Sequence, residues 1–351
     1  MKKTTKTNIL RFAYIGVTVL VIVLIGAFNT NFSDLGNAIQ RIDLLWLLGA
    51  IVCMVLYWLT DAWLLKHITD YMSDVKISFG KSFKIGLIGL YYAALTPSSV
   101  GAQPMQIVYM NREKISVGRA TCIVVIKFIA YSLTVITFYI VSHALIGDEY
   151  LKSTPAIYWL CILGLLLNIF AVSFFALTII NKTLVLKIGH GIIGFLQKIK
   201  LMKKPEKALQ EFDKTIEDYT GTSQYIKEHK IRTVVAFLIS FLNIGLMFAI
   251  TYFIYRAFGL SEYSFISVMA LQALLYVAIH YFPLPGGAGA SEGGFFAIFS
   301  AFFTKDILFM AMLIWRIMTY YIILAVGSLI VVLDELRNMR KQKADEQKLT
   351  E

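Results

Sequence analysis

The feature that most constrains this chain is a series of long apolar runs separated by short polar stretches. An α-helix rises about 1.5 Å per residue, so roughly 20 apolar residues cross the roughly 30 Å hydrocarbon core of a bilayer. Six runs reach or approach that length, at residues 12–28, 44–65, 121–146, 157–180, 233–258 and 307–333. The pattern predicts an all-α polytopic integral membrane protein with about six full spans.

The composition agrees with a membrane protein. Of the 351 residues, 58% are hydrophobic and the mean hydropathy is +0.69, which excludes an ordinary soluble domain. The formal net charge of +11 could indicate a nucleic-acid partner. However, the Lys and Arg residues lie mainly at the ends of the runs and in one internal polar stretch. Such positions are typical of topology signals and of contacts to anionic lipid, so we expect no nucleic acid.

The sequence contains no signature of a cofactor or of metal chemistry. Cys53, Cys122 and Cys161 lie in apolar runs without metal-ligand spacing, and we expect buried thiols and no disulfide. Walker, His-Glu-x-x-His and Cys-x-x-Cys motifs are all missing. The sequence therefore predicts no cofactor, no metal and no use of ATP.

Helix breakers interrupt two further apolar segments, at residues 95–104 and 281–294. Lipid cannot hydrogen-bond to free backbone groups, so unwound backbone at membrane depth is buried in protein or lines a wet cavity. Both segments are therefore candidate sites. The breaks are expected at Pro97 and Gly101 in the first segment and at Pro285, Gly286, Gly287 and Gly289 in the second.

The basic residues predict that both broken segments are re-entrant hairpins. The first, at residues 83–111, lies between basic stretches and should enter and leave on the cytoplasmic side. The second, at 265–304, should enter and leave on the outer side, because the last span must end at the basic tail, 336–351. Opposed hairpins make an inverted repeat, with both termini in the cytoplasm of a bacterial-type plasma membrane.

The repeat divides the chain into an N-terminal membrane half, residues 1–181, and a C-terminal half, residues 232–335. A cytoplasmic elbow at residues 182–231 joins them. Apolar residues recur there every three or four positions, which predicts an amphipathic helix on the membrane surface and a second helix packed beside it. The two stripes are Leu184, Ile188, Ile192, Phe195 and Ile199, and Leu209, Phe212, Ile216 and Tyr219.

An alignment of Pro97 with Pro285 places a cation at nearly the same distance beyond each break: Lys127 in the first half and Arg316 in the second. Paired broken segments in two halves of a membrane protein indicate a transporter site. The alternative is two unrelated loops that share Gly and Pro. Both cations should lie near the midplane, where Arg316 can hold a lipid phosphate by two parallel N–H bonds and Lys127 by its point charge.

Three other ionisable residues are candidates for the same site. Glu292 should pair with one of the cations or with an amine on the substrate. Asp61 is a second carboxylate, unless it lies at the membrane interface. His280 can titrate near neutral pH, although a single histidine there can also cap or pack. For the cations, the alternatives are snorkelling of Lys127 and a structural ion pair between Arg316 and Glu292.

Each break ends where a helix restarts, near Gln103 in the first hairpin and near Ser291 in the second. The free N–H groups and the positive dipole end at such a start favour an anion. We therefore expect Gln103 to belong to the substrate site.

Residues 96–106 and 283–294 resemble the signature segments of the lysylphosphatidylglycerol synthase transmembrane-region family. That family is similar to the flippase half of the multiple peptide resistance factor, which moves aminoacylated phosphatidylglycerol to the outer leaflet. Many relatives have Gly-Glu where this chain has Ala102 and Gln103, so their second carboxylate is missing here. The resemblance implies site roles for Pro97, Gly101, Gln103, Pro285, Gly286, Gly287, Gly289, Glu292 and Arg316.

The resemblance implies a flippase of anionic or aminoacylated phospholipid, such as lysyl-phosphatidylglycerol, that contributes to resistance against cationic antimicrobial peptides. Full-length relatives continue into a soluble acyltransferase domain, whereas this chain ends soon after its last span, so we do not expect it to transfer lysine alone. The expected partners are phosphatidylglycerol or its lysyl ester, a separate synthase and a second copy of the chain. The alternatives are a phosphatidylglycerol lysyltransferase, as the family name implies, and a small-solute transporter with Glu292 or His280 as proton carrier.

Overall fold

The computed structural model describes Gly36 and residues 38–152, 155–198, 206, 209–210, 212–213 and 228–350. In these ranges every named element is helical, and five helices are long and apolar enough to cross a membrane. They are Leu44–Met72, Val117–Ile146, Pro155–Ile179, Lys230–Ala257 and Lys305–Asp334. The all-α polytopic fold is confirmed. The first predicted span, residues 12–28, lies outside the described residues, so the total of six stays a prediction.

We number the helices in chain order. They are α1 Leu44–Met72, α2 Phe79–Leu95, α3 Ala102–Arg112, α4 Val117–Lys152, α5 Pro155–Ile180, α6 Lys182–Lys198, α7 Lys230–Ala257, α8 Phe265–Ile279, α9 Ala290–Phe299, α10 Lys305–Arg316 and α11 Ile322–Thr350. One π-helical turn, Ile317–Tyr321, joins α10 to α11. Polar side chains cap the first turns of several helices. At α1, Asp43 accepts a hydrogen bond from the Leu45 amide at 2.8 Å, which satisfies one of the free N–H groups at the start of the helix.

The outer faces of the long helices are apolar. Leu45 on α1, Phe170 on α5 and Val234 on α7 are all more than half exposed. A soluble protein rarely exposes so many large apolar side chains on neighbouring helices. This surface is the one expected of a protein whose helices face lipid.

The helices α1, α2 and α3 recur as α7, α8 and α9, and the long helix α4 recurs as α10 and α11, which the π turn joins. A spacing of 188 residues separates the start of α3 at Ala102 from that of α9 at Ala290, and the start of α4 at Val117 from that of α10 at Lys305. Helix α1 packs along its counterpart α7, and α8 packs on α4 just as α2 packs on α11. Such pairs of equivalent contacts are what a two-fold axis between the halves requires. The packing supports the internal repeat.

The two broken segments form helical hairpins, α2–α3 and α8–α9. Their helices contain 17 and 11 residues in the first hairpin and 15 and 10 in the second. At about 1.5 Å per residue, even the longest covers only about 25 Å, less than the roughly 30 Å hydrocarbon core. These lengths agree with the hairpins expected at residues 83–111 and 265–304, while their sidedness stays a prediction.

Helix α6 carries the first amphipathic stripe of the predicted elbow. Its residues Ile192 and Phe195 are 55% and 61% exposed. His190 on the same helix contacts Asp213 at 2.9 Å, and its ring centroid lies 6.0 Å from that of Phe212. Phe212 of the second stripe therefore lies against α6. The stripe positions that lie outside the described residues are Ile199, Ile216 and Tyr219.

Replacement of Gly164 by alanine is expected to destabilise the bundle, because α5 crosses the backbone of α8 at this glycine. A Cβ on Gly164 would lie 2.0 Å from the carbonyl oxygen of Val277. Backbone cannot easily move aside, so we expect Gly164→Ala to lower the free energy of unfolding by about 1–3 kcal/mol. Thermal unfolding in detergent measures the change. The matched control is Gly191→Ala in α6, where a Cβ meets nothing within 4 Å. An equal effect in both variants would contradict the close crossing.

Candidate functional site

The two sequence breaks meet tip to tip. Pro97 and Pro285, the prolines that align in the two halves, form an antiparallel backbone bridge. The hydroxyl of Ser98 also donates a hydrogen bond to the carbonyl oxygen of Tyr281 at 3.1 Å. In a two-fold arrangement, a residue meets its own counterpart only at the axis. The bridge between the tips therefore marks the axis of the internal repeat.

Both tips have the same backbone conformation directly after the proline. Ser98 and Ser99 have φ angles of 49° and 57°, and Gly286 and Gly287 have φ angles of 57° and 61°. The left-handed region costs a non-glycine residue about 1–2 kcal/mol, so the two serines hold it only because the surrounding structure requires it. The matched conformation is a second, local sign of the repeat.

Each half completes the hydrogen bonding of the other half at the tips. The carbonyl of Ala94, at the end of α2, accepts a hydrogen bond from the Tyr320 hydroxyl at 3.3 Å. The carbonyl of Phe282, just beyond α8, lies 3.4 Å from the Ser98 hydroxyl and shares its one proton with the Tyr281 carbonyl. Carbonyls at a helix end have no partner in their own helix, and an unpaired one costs several kcal/mol in lipid. Side chains of the opposite half thus supply donors to these two carbonyls.

Glu292 and Arg316 form an enclosed ion pair beside the second tip. The Arg316 Nε donates to Glu292 Oε1 at 2.6 Å, and the side chains of arginine and glutamate are 4% and 0% exposed. Glu292 Oε2 accepts from the amide of Gly289 at 2.7 Å, and Arg316 Nη2 donates to the carbonyl of Gly286 at 3.1 Å. The pair therefore fixes the tip of the second hairpin to α10. This is the structural pairing that the sequence left open as an alternative.

Tyr320 supports Arg316, and the sequence analysis missed it. The Tyr320 ring centroid lies 4.5 Å from the guanidinium carbon, within range of a cation–π contact. A Cβ on Gly286 would lie 2.2 Å from the same ring, so glycine is needed there for close approach as well as for its positive φ. The sequence signal that could have identified Tyr320 is its spacing of four residues from Arg316, which places both on one helical face. The π turn Ile317–Tyr321 begins directly after the arginine, and such turns are frequent at functional sites.

Lys127 and Asp61 form the second ion pair. The Lys127 Nζ lies 2.7 Å from Asp61 Oδ1 and 2.9 Å from Oδ2, and the lysine and aspartate side chains are 13% and 9% exposed. Gly86 of α2 makes room for the carboxylate, since a Cβ there would lie 2.7 Å from Asp61 Oδ2. The lysine is thus held by a buried carboxylate from α1, while the depth of both residues in the membrane stays a prediction.

The two ion pairs are not counterparts of each other. The residue 188 positions after Asp61 is Ala249, so the second half has no carboxylate there. The residue 188 positions before Glu292 is Pro104, so the first half has none at that position either. One pair joins α4 to α1, whereas the other joins α10 to α9. The halves therefore share their backbone plan and differ in their charges.

The remaining predicted site residues lie at the helix ends beside the tips. The His280 ring, at the end of α8, lies among tyrosines, with centroids 4.8 Å from Tyr276, 6.0 Å from Tyr131 and 4.9 Å from Tyr281. Gln103 is half-buried at the start of α3, and no described hydrogen bond joins it to either ion pair. Substrate roles for both residues stay predictions. The three cysteines are buried free thiols, as expected.

One known protein and one family profile match this chain over most of its length. The chain is 25% identical to a UPF0104 membrane protein of Archaeoglobus fulgidus over 320 residues, which are 90% of this chain and 95% of that protein. The family profile described as the lysylphosphatidylglycerol synthase TM region matches residues 10–327, a range that contains both hairpins and both ion pairs. The chain therefore belongs to the lysylphosphatidylglycerol synthase transmembrane-region family.

Proposed function

We propose that the protein is a translocator that passes a phospholipid head group between the leaflets at the junction of the two hairpin tips. The observation that carries the proposal is the meeting of two broken hairpins, with one ion pair enclosed at the second tip and another buried between α1 and α4 against α2. Broken helices at the junction of two repeats are typical of transporter sites, and buried charges in spans mark the paths of charged cargo.

In this proposal Lys127 and Arg316 are the candidate phosphate ligands, as their residue types suggest. Each cation is paired with a carboxylate in the structure, so the phosphate of the head group binds by replacing that carboxylate. An unpaired buried charge costs about 3–5 kcal/mol, and a phosphate that replaces a carboxylate partner keeps the cation paired throughout. Asp61 and Glu292 therefore hold the cations between transport events.

The tips serve as the gate. The described contact between them is one backbone bridge and the hydroxyl-to-carbonyl bonds of Ser98. A typical hydrogen bond contributes only about 0.5–1.5 kcal/mol net, so few bonds have to break for the tips to separate. A polar head group or water can take over the freed backbone groups, which apolar lipid tails cannot.

The family description favours aminoacylated phosphatidylglycerol as the cargo, supplied by a separate synthase. Movement of such a lipid to the outer leaflet lowers the negative surface charge and hence the attraction of cationic peptides. The proposal places the protein in a bacterial-type plasma membrane with both termini in the cytoplasm, as the basic flanks indicate.

Liposomes that contain the purified protein test the proposal. Tail-labelled phosphatidylglycerol and its lysyl ester are used in separate preparations, and dithionite quenching of the label reports movement between leaflets. We expect Lys127→Met to slow transfer about tenfold or more, the loss of one charge-assisted hydrogen bond, while Lys127→Arg keeps most of the rate. The control is Arg41→Met in an ion pair with Asp306 whose side chains are 60% and 42% exposed.

Two outcomes count against the proposal in different ways. If wild-type protein moves neither lipid faster than protein-free liposomes do, the translocator function is wrong. If wild-type protein moves lipid and Lys127→Met moves it equally fast, the function stands and the assignment of Lys127 is wrong.

A further inference from the structure

Asp334 of α11 contacts both helices of the first hairpin, at the end away from the tip. Lys84 of α2 and Arg112 of α3 each contact a different oxygen of the Asp334 carboxylate, Arg112 Nη1 at 2.9 Å. The ring of Tyr109 packs beneath both cations, with its centroid 4.2 Å from the Arg112 guanidinium carbon and 5.5 Å from Lys84 Nζ. We call Asp334, Lys84 and Arg112 the ionic latch. Because two cations share one carboxylate, loss of Asp334 removes an ionic contact from both helices at once.

Helix α11 runs along α2 from the ionic latch to the first tip. Tyr320, Gly327 and Asp334 recur every seven residues, close to two helical turns, so they share one face. On this face a Cβ at Gly327 would lie 2.4 Å from the Cβ of Tyr91, and the Tyr320 hydroxyl donates to the Ala94 carbonyl at 3.3 Å. About 21 Å of helix, at about 1.5 Å per residue, separates the latch from Tyr320. The ionic latch and the first tip therefore lie at the two ends of one helix–helix contact.

The second tip is fixed to the same pair of helices, α10 and α11, in a different way. Arg316, the last residue of α10, donates to Glu292 at 2.6 Å and to the Gly286 carbonyl at 3.1 Å. This ion pair is enclosed, with side chains 4% and 0% exposed, whereas the latch cations Lys84 and Arg112 are 38% and 49% exposed. Water and salt compete with exposed ion pairs far more than with enclosed ones. The latch is therefore the weaker attachment, and the first hairpin moves more easily than the second.

The second hairpin has no equivalent of the latch in its own helices. Helix α8 contains no Asp, Glu, Lys or Arg, and Glu292 is the one charged residue of α9. Gln272 of α8 instead accepts a neutral hydrogen bond from Thr251 of α7 at 2.8 Å. The internal repeat thus supplies two hairpins of the same build that are attached differently, the first by exposed charges and the second by a neutral hydrogen bond and the enclosed pair.

Building on the gate in the translocator function above, we propose that Asp334 is a positioning residue for that gate. The ionic latch keeps α2 on α11, and so keeps Pro97 on Pro285, next to the Gly286 carbonyl that Arg316 holds. When the latch opens, the first hairpin leaves α11 and the tips separate. Salt screens the attraction between partly exposed charges, so the tips separate more often as the ionic strength rises. The latch lies on the side of the membrane that the basic residues predict to be cytoplasmic.

A cysteine at the first tip tests this role in purified protein. The Ser98 side chain lies 3.1 Å from the Tyr281 carbonyl, so a water-soluble maleimide reaches Ser98→Cys best when the tips separate. We expect Asp334→Asn to raise the labelling rate of Ser98→Cys about threefold, a factor that partly exposed ion pairs supply, while Asp334→Glu stays close to the original rate. Raising NaCl to about 1 M, where the screening length falls to about 3 Å, should raise the rate in protein with Asp334 and leave it unchanged in Asp334→Asn.

Controls in the same molecule separate a role at the tip from support of the whole fold. The three native cysteines are buried, and peptide mass spectrometry measures their labelling beside that of Ser98→Cys. The matched variant is Asp306→Asn in the exposed pair with Arg41, which should leave labelling of the tip unchanged. Labelling of the tip that does not respond to Asp334→Asn, or that rises equally at the native cysteines, would overturn the positioning role.

The salt dependence decides the question even where Asp334→Asn does not fold, since it uses protein with Asp334 intact. A labelling rate that stays constant with salt would also overturn the positioning role. Maleimide labelling requires no lipid movement, so a failure here leaves the translocator function intact. Absence of lipid transfer in liposomes counts against that function separately.

Discussion

A disulfide between the two hairpin tips is expected to reduce lipid movement to the rate of protein-free liposomes. Residues opposite each other in an antiparallel bridge have Cα atoms about 4.5–5.5 Å apart, inside the range of about 4.4–6.8 Å found for disulfides. Pro97 and Pro285 form such a bridge, so the double variant Pro97→Cys/Pro285→Cys should oxidise without large backbone movement. If the tips separate in each transport event, oxidation stops transfer and dithiothreitol restores it.

The two single variants are the controls for this experiment. Pro97→Cys and Pro285→Cys each lack a partner thiol at the tip, and oxidation should leave their rates unchanged. The native Cys53, Cys122 and Cys161 are buried and should not compete for the new thiols. Mass spectrometry of peptides establishes that the bond has formed. Normal transfer by fully crosslinked protein would show that the tips are a fixed strut and that the head group passes elsewhere.

The sequence located the spans better than it located the helix ends. The predicted run 44–65 corresponds to α1, Leu44–Met72, which continues for another two turns. An apolar run ends where the hydrocarbon region of the membrane is expected to end. A helix ends only where its last backbone groups find hydrogen-bond partners outside the helix. At Ser73 the amide still donates to the Thr69 carbonyl, and extended backbone begins there. Such partners depend on local geometry, which composition does not contain.

The repeat was visible in the sequence, yet its central contact was not. The alignment on Pro97 and Pro285 rests on similar spacing, and the shared left-handed backbone at the two tips supports it. Spacing says which residues correspond, and it says nothing about where the axis lies. Counterparts touch only if the axis passes between them, and that position follows from the packing of α1 on α7 and of the hairpins on the opposite halves.

Similar limits explain what the sequence could say about the ion pairs. Glu292 and Arg316 are 24 residues apart, and a pairing between them was one of the open alternatives. Asp61 and Lys127 are 66 residues apart and meet only because α4 packs against α1. The sequence identified all four residues because charges in apolar runs are rare. Which carboxylate meets which cation is a property of the packed bundle.

The largest loss of stability is expected when the enclosed ion pair is broken from one side. Arg316→Met leaves the Glu292 carboxylate fully buried, with the Gly289 amide still donating to it, and removal of one partner of a buried pair costs about 3–5 kcal/mol. The double variant Arg316→Met/Glu292→Leu removes both charges and should regain most of that loss, because apolar residues can replace a buried pair at little cost. Thermal unfolding in detergent measures both variants.

The exposed pair of Arg41 and Asp306 supplies the matched cycle for this comparison. Its single and double variants, Arg41→Met and Arg41→Met/Asp306→Leu, should each change stability by no more than about 1 kcal/mol. A double variant of the enclosed pair that is no more stable than Arg316→Met alone would contradict the coupling. The transport rate of the double variant Arg316→Met/Glu292→Leu distinguishes a structural role of Arg316 from a role in phosphate binding. If the double variant folds and moves lipid normally, Arg316 is a support for the second tip, and Lys127 is left as the cation that holds the phosphate.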